Sequence, residues 1–357
     1  MSVRNCSLIR KLRSAFRRSP IDSLIVTDMT NVRYLSGFSG SSGFLFITRK
    51  ENFFVTDFRY REQAEQEVSG WELVLEKGAR IHAIKRLVRM ADVRTLGFES
   101  SAAYSFYRRV SRTGITLIPV EGLVEKMREQ KELYEISAIR EAIRRAETAF
   151  LEVKPHIKHG VRELTIAMRL EERLKKNGCK KIPFEVIVAS GPNSAMPHAR
   201  PTGRKLQGGD FVLVDWGGEA DGYFSDMTRT LLLKCSAIRK QKRIYTTVLE
   251  ANKKALSAVA AGIQAKQIDN AARDHIKKNG YGDFFGHGTG HGVGLQVHEA
   301  PRITWTTSAA IREKMVFTVE PGIYLPGFGG VRIEDMVEVG DKEAFVLTSL
   351  PKALEII

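Results

Sequence analysis

Between residues 286 and 294 a glycine stands at every second position, and His287, His291 and His298 fall in or just after that run. Glycine costs about 1 kcal/mol per residue in a helix interior. The run therefore excludes reading His287 and His291 as a metal-binding pair on one turn of helix. An extended ribbon fits instead, with bare backbone on one face and His287, Thr289, His291 and Val293 on the other. A bare face lets another chain segment, a ligand or a metal ion come close. His298 follows His291 at an odd offset, so an ideal strand would send the two to opposite faces. For both to serve one site the chain must bend or bulge around Leu295–Val297. A lone histidine is more often structural than catalytic, so the ribbon gains meaning only with acidic partners.

Hairpin geometry supplies them. Phe211–Trp216 and Tyr223–Leu233 are β-rich runs separated by Gly217-Gly-Glu-Ala-Asp-Gly222. A two-residue turn at Ala220–Asp221 would set Asp215 opposite Asp226. The pattern recurs where Met315–Glu320 and Gly330–Val339 flank Pro326-Gly-Phe-Gly-Gly330. Centring that loop on Gly327 sets Glu320 opposite Glu334. Facing carboxylates on apolar strands repel each other. One such pair reads equally well as solvent-face acids of an ordinary hairpin; two pairs plus the histidine ribbon call for cations. Four carboxylates and an imidazole suit two divalent ions, with hard oxygen donors and one borderline nitrogen.

These residues carry a family resemblance. Asp215, Asp226, His291, Glu320 and Glu334, with the words Ser225-Asp-Met-Thr-Arg-Thr230, Val319-Glu-Pro-Gly-Ile-Tyr324 and Arg332-Ile-Glu-Asp335, resemble the signature of the pita-bread metallopeptidases. That group includes methionine aminopeptidase, prolidase and Xaa-Pro aminopeptidase. Asn31-Val-Arg-Tyr-Leu-Ser-Gly-Phe38 and Val55-Thr-Asp-Phe-Arg-Tyr60 are similar to the N-terminal domain of its proline-specific branch.

The resemblance implies an α/β N-terminal domain followed by an α+β pita-bread catalytic domain. It implies two divalent ions, with manganese first and cobalt or zinc compatible. Asp226 and Glu334 would bridge them; Asp215 would bind one, and His291 and Glu320 the other. Such ions acidify a water and polarise the scissile carbonyl. Glu320 would move the proton to the leaving nitrogen, His298 would contact the substrate carbonyl, and His198 would lie near the scissile amide. His287, Arg302, Tyr324 and Arg332 match positions around the substrate pocket, although Arg332 also suits a local ion pair and Tyr324 ordinary strand packing. Thr228 would orient a ligand carboxylate through its hydroxyl. The implied activity is a metal-dependent Xaa-Pro aminopeptidase, acting on peptides with proline second. The alternatives are a prolidase confined to Xaa-Pro dipeptides and a non-catalytic pita-bread binding module; the latter, like the metal-free creatinases, is disfavoured by the full ligand set. A homodimer is the implied assembly.

Composition fits an ordinary globular enzyme: 357 residues, 43% hydrophobic and 27% charged, point to two domains. No apolar run reaches membrane-spanning length. Cys6, Cys179 and Cys235 are too few and scattered for a disulfide framework, which suits a reducing cytoplasm. Residues 1–18 hold six basic side chains and no acid, like a transit peptide, yet Leu8, Ile9, Leu12 and Phe16 recur at helical spacing. A first helix of the folded domain is the expectation. The net charge of +15 divides into +8 over residues 1–122 and +7 beyond, with no nucleic-acid motif, so no nucleic-acid partner is expected. The glycine-rich 37–43 segment lacks a phosphate-loop ending and reads as a turn.

Strand-like runs at 24–27, 44–47, 53–56, 73–75, 95–98 and 116–119 alternate with helical patterns at 58–68, 81–90 and 102–112. A charged stretch, 121–135, leads into a helix over 136–153, and further helices are expected at 163–176, 238–260 and 266–279. The domain junction is placed near residue 122, giving domains 1–122 and 123–357. Two helix pairs, each followed by a carboxylate hairpin, suggest an internal duplication of layout.

Overall fold

The computed structural model describes residues 3–16 and 19–357; the side chains of Cys6 and Phe16 lie outside the described part. The chain divides into two compact units, Met1–Arg128 and Glu129–Ile357.

The first unit opens with α1 (Val3–Phe16), whose Leu8, Ile9 and Leu12 are buried, as their helical spacing predicts. Then come β1 (Ser23–Val26), α2 (Met29–Ser36), β2 (Phe44–Thr48), β3 (Asn52–Thr56), α3 (Arg61–Glu67), β4 (Glu72–Leu75), α4 (Arg80–Met90), β5 (Thr95–Glu99), α5 (Tyr104–Ser111) and β6 (Thr116–Val120). The strands form one mixed sheet in the order β4-β3-β2-β1-β5-β6. β1 and β2 are buried at every position, as a sheet covered on both faces requires, and their apolar runs carry no alternation. The sequence reading leaves out α2 because eight residues hold too little periodicity. Its ends are nonetheless chemically marked: Asp28 accepts from Thr30 N and Asn31 N, and Gly37 closes it at φ 85°. A further helix, α6 (Leu123–Glu129), occupies part of the charged stretch.

The second unit begins with α7 (Leu133–Val153) and α8 (Glu163–Lys176), packed against each other and followed by β7 (Ile187–Ser190) and β8 (Phe211–Trp216). The short β9 (Glu219–Ala220) and β10 (Tyr223–Phe224) lead to β11 (Met227–Leu232), giving a sheet ordered β11-β8-β7. The second helix pair is α9 (Arg239–Ser257) and α10 (Ala265–Lys278). After it come β12 (Gly290–Gly292), β13 (Glu299–Ile303), β14 (Val316–Val319), β15 (Gly322–Leu325), β16 (Gly329–Arg332), β17 (Asp335–Val339) and β18 (Ala344–Val346). Five of these form the sheet β13-β12-β14-β17-β18, while β15 and β16 pair separately. One core cluster joins α9 and α10 to both carboxylate hairpins, with Val248, Ile268, Phe317 and Val331 fully buried.

The first hairpin corrects the sequence reading. Its turn is Asp221–Gly222, both at positive φ, and not Ala220–Asp221. Two consecutive positive-φ residues are what a tight hairpin matching strand twist needs, and Asp-Gly meets that need where Ala-Asp does not. The register therefore moves by two residues, so Asp215 faces Thr228 and not Asp226. A shift of two preserves the face, which keeps Asp226 diagonal to Asp215 on the same side. The second hairpin follows the expected register: Gly322 pairs Arg332 and Val319 pairs Asp335, both ladders centred on Gly327.

Candidate metal centre

The glycine ribbon shortens to β12, and its bare face is pressed against neighbouring backbone. A Cβ on Gly290 would sit 1.8 Å from Thr318 O, and one on Gly292 2.2 Å from Ala300 O. The register slips between His291 and Gly292, and Gly294 N donates to Gln296 O as the chain reverses. That reversal brings the His291 and His298 rings to 4.2 Å between centroids, as the required bend predicts.

The acids arrive at strand junctions, where side chains can leave the sheet without breaking its ladder. Asp226 precedes β11, Glu320 follows β14, Glu334 precedes β17, and Asp215 lies near the end of β8. Ligand atoms of Asp215, Asp226 and Glu334 lie within 4.8 Å of one another, as do those of His291, Glu320 and Glu334, and of Asp226, His291 and His298. Glu334, Asp226 and His291 thus each belong to two groups. His291 Nε2 is 3.3 Å from Glu320 Oε1 and 3.6 Å from Asp226 Oδ2. On its other side His291 Nδ1 donates to Gly292 O at 3.2 Å, which turns Nε2 toward the acids as an acceptor.

Without cations the cluster is electrostatically costly. At about 4 Å and an effective dielectric near 20, each like-charge pair costs roughly 4 kcal/mol. Burial and then Glu334 and Asp215 hold the Asp226 carboxyl well above the usual range. Burial, then Glu320 and Asp215, does the same to Glu334. Asp215 is raised by burial despite the adjacent Arg332, and its Oδ1 is buried with no hydrogen-bond partner. An orphaned oxygen, destabilised carboxylates and a correctly turned imidazole together fit divalent cations.

A polar frame fixes the acids. Arg332 donates to Asp215 Oδ2 at 2.5 Å, to Thr228 Oγ1 at 3.0 Å and to the Tyr324 hydroxyl at 3.0 Å. Thr228 Oγ1 in turn donates to Glu334 Oε2 at 2.6 Å. Arg332 thus forms its ion pair with Asp215 on β8, in another sheet, and not with a local acid. Tyr324, expected near the substrate, is buried behind the cavity wall, and burial pushes its hydroxyl up to about 12. His287 Nδ1 donates to Gly288 O at 2.8 Å, leaving Nε2 to accept from Tyr324 at 2.9 Å. Burial holds His287 below its ordinary value, favouring that neutral form.

Asp215, Asp226, His287, His291, Glu320, Arg332 and Glu334 line a cavity of about 900 Å³, whose wall also carries His198, His298 and Arg302. Burial, followed by the adjacent His291, lowers His298 as well. The sequence reading missed Thr318, which accepts from His291 N at 3.1 Å and donates to Glu320 Oε1 at 3.2 Å. It also missed buried Asp269, which accepts from Thr289 N and Oγ1 at 3.0 and 2.8 Å and so holds the ribbon. The Thr318 contact with His291 and the Asp269 contacts with Thr289 join separate segments, which no local pattern reveals.

Comparisons with known proteins show the family and the fold. The model of metallopeptidase family M24 matches residues 137–341, and that of the creatinase/prolidase N-terminal domain matches residues 9–130. An uncharacterized peptidase of Bacillus subtilis is 39% identical, the match covering 98% of this chain and 99% of the relative. An Xaa-Pro dipeptidase structure from Bacillus anthracis superposes with a TM-score of 0.96 at 39% identity, covering 99% of this chain and 100% of that one. An X-Pro aminopeptidase structure from Thermotoga maritima gives 0.89 at 35% identity, covering 96% and 100%.

Proposed function

This chain belongs to metallopeptidase family M24, and from that premise we propose that it is an Xaa-Pro aminopeptidase, releasing the N-terminal residue from peptides with proline second. The observation that carries the reading is the pair of ligand groups sharing Glu334 on the wall of one cavity. Relatives named as Xaa-Pro peptidases of both kinds support the proline preference. Asp215 would hold one divalent ion and His291 with Glu320 the other, with Asp226 and Glu334 shared between them. When bound, such ions lower the pKa of water toward neutrality and polarise the scissile carbonyl.

The chain's own residues do the rest. Glu320 takes a proton from the attacking water and delivers it to the prolyl nitrogen. That nitrogen has no N–H to be gripped, and like any amide nitrogen it leaves only when it is protonated. His298, kept neutral by burial, donates its N–H to the carbonyl oxygen as negative charge builds there. His198 approaches the scissile amide from the cavity wall, and His287 and Arg302 contact the substrate. Arg332 and Tyr324 keep Asp215 and His287 oriented.

Residues 1–122 form the N-terminal domain of this assignment and 123–357 the catalytic one. Manganese as the preferred ion, a homodimer and residence in the cytoplasm complete the reading; free Cys179 and Cys235 support a reducing compartment. Among the described residues no helix is long and apolar enough to cross a membrane. A length series decides the main point: metal-loaded enzyme should cleave Xaa-Pro dipeptides, tripeptides and longer peptides. Activity confined to dipeptides would make it a prolidase, the second reading that the dipeptidase relatives favour.

A further inference from the structure

We propose that Glu163 is the positioning residue for His198, an inference that rests on His198 acting at the scissile amide. Glu163 opens α8 and is fully buried, an environment that a carboxylate tolerates only when its oxygens are saturated with donors. The donors come from both ends of one loop. Oε1 accepts from Ser190 N and Oγ, each at 2.7 Å. Oε2 accepts from Thr202 N at 3.0 Å and Thr202 Oγ1 at 2.6 Å. Asn193 Nδ2 reaches both oxygens at 3.1 Å. The helix end reinforces the grip, since Leu164 N donates to Thr202 O at 3.0 Å.

Residues 191–201 are therefore an excursion cinched at its neck by one carboxylate; farther out Gly330 N donates to Ser194 Oγ at 2.8 Å and Arg332 donates to Pro197 O at 3.3 Å, and His198 lies near its tip on the cavity wall. Among the described residues no hydrogen bond holds the His198 ring, which is exposed. Its placement must come from the backbone of the excursion, stiffened by Pro197 and Pro201. Glu163 does not line the cavity; it acts through the loop.

The test is a double-mutant cycle of Glu163→Gln and His198→Ala in manganese-loaded enzyme, with kcat and KM on an Xaa-Pro tripeptide, metal content, and hydrogen exchange of residues 191–201. The amide replaces acceptor lone pairs with a donor that faces other donors. Glu163→Gln should keep wild-type metal content, exchange faster over 191–201, and lose about 10- to 100-fold in kcat/KM. It should add nothing to the loss already caused by His198→Ala. Multiplicative losses, or unchanged exchange over the loop, would overturn the proposal. Should Glu163→Gln fail to fold, Thr202→Val and Asn193→Ala each remove one donor and enter the same cycle. If wild-type enzyme cleaves no Xaa-Pro peptide, the peptidase reading itself falls. The exchange measurement then still judges the clamp, with faster exchange supporting it and unchanged exchange refuting it.

Discussion

Glu334 and Asp226 each belong to two ligand groups, whereas Asp215 belongs to one. Replacing a shared acid should therefore lower the content of both ions, and Asp226→Ala or Glu334→Ala is expected to abolish turnover with metal analysis well below two equivalents. His298 falls into a ligand group by distance, yet its assigned task is donation to the carbonyl oxygen. His298→Ala should keep both metals and lose about 10²- to 10³-fold in kcat; loss of an ion in that variant would reassign it as a ligand. Thr228→Val, which removes only the hydroxyl that orients Glu334, should cost about 10- to 100-fold in metal affinity or activity. His287 offers a pH test. Its value is depressed by burial, so the unfolded chain takes up the proton first, below about pH 6.5. Its contribution to stability is present above that pH and is lost as pH falls toward the folded-state value. Urea midpoints at pH 7.5 and 5.5 should drop further for wild type than for His287→Gln, both metal-loaded.

Elements with strong periodicity were legible in the sequence, and α8 coincides with the expected 163–176. The convergence of Asp215, Asp226, Glu320 and Glu334 was legible too, because alternating strands and short turns fix which side chains share a face, whereas His291 stood out among three histidines only through the family resemblance. The first hairpin shows the limit of that arithmetic. Its register depended on turn chemistry, and the Asp-Gly step outranked the Ala-Asp step by its tolerance of positive φ. Asp269, Glu163 and the Thr318 contact with His291 were invisible because those partners come from other segments of the chain. The glycine ribbon was read as permitting close approach, and β12 is indeed flanked by backbone on both sides. Gly290→Ala should therefore force β12 away from β14. A destabilisation of about 1–3 kcal/mol by denaturant unfolding is expected, together with weakened metal binding, since His291 follows directly. A neutral Gly290→Ala would show that the contact with Thr318 relaxes freely.

For the whole molecule, the buried acids link folding to metal. Repulsion among Asp215, Asp226, Glu320 and Glu334 opposes the native state until cations enter, so stability must depend on ion concentration. One ion at about 100 times its dissociation constant adds roughly 2.7 kcal/mol. Thermal unfolding should shift upward on adding manganese and downward on chelation, and Asp226→Ala should show little of this response. A chain that unfolds identically with and without divalent ions would contradict the metal centre, whatever its activity. The paired ladders centred on Gly327 carry a practical corollary. The tip at Pro326–Gly327 is exposed, and a Cβ on Gly327 would meet no atom within 4 Å, although its φ of 73° penalises other residues. Glu320 and Glu334 are held in register by the strands between them and that tip. Extra residues spliced in at Gly327 would lengthen only the outer arc, making this a favourable place to graft a fluorophore-bearing peptide that reports on the enzyme while leaving its acids aligned.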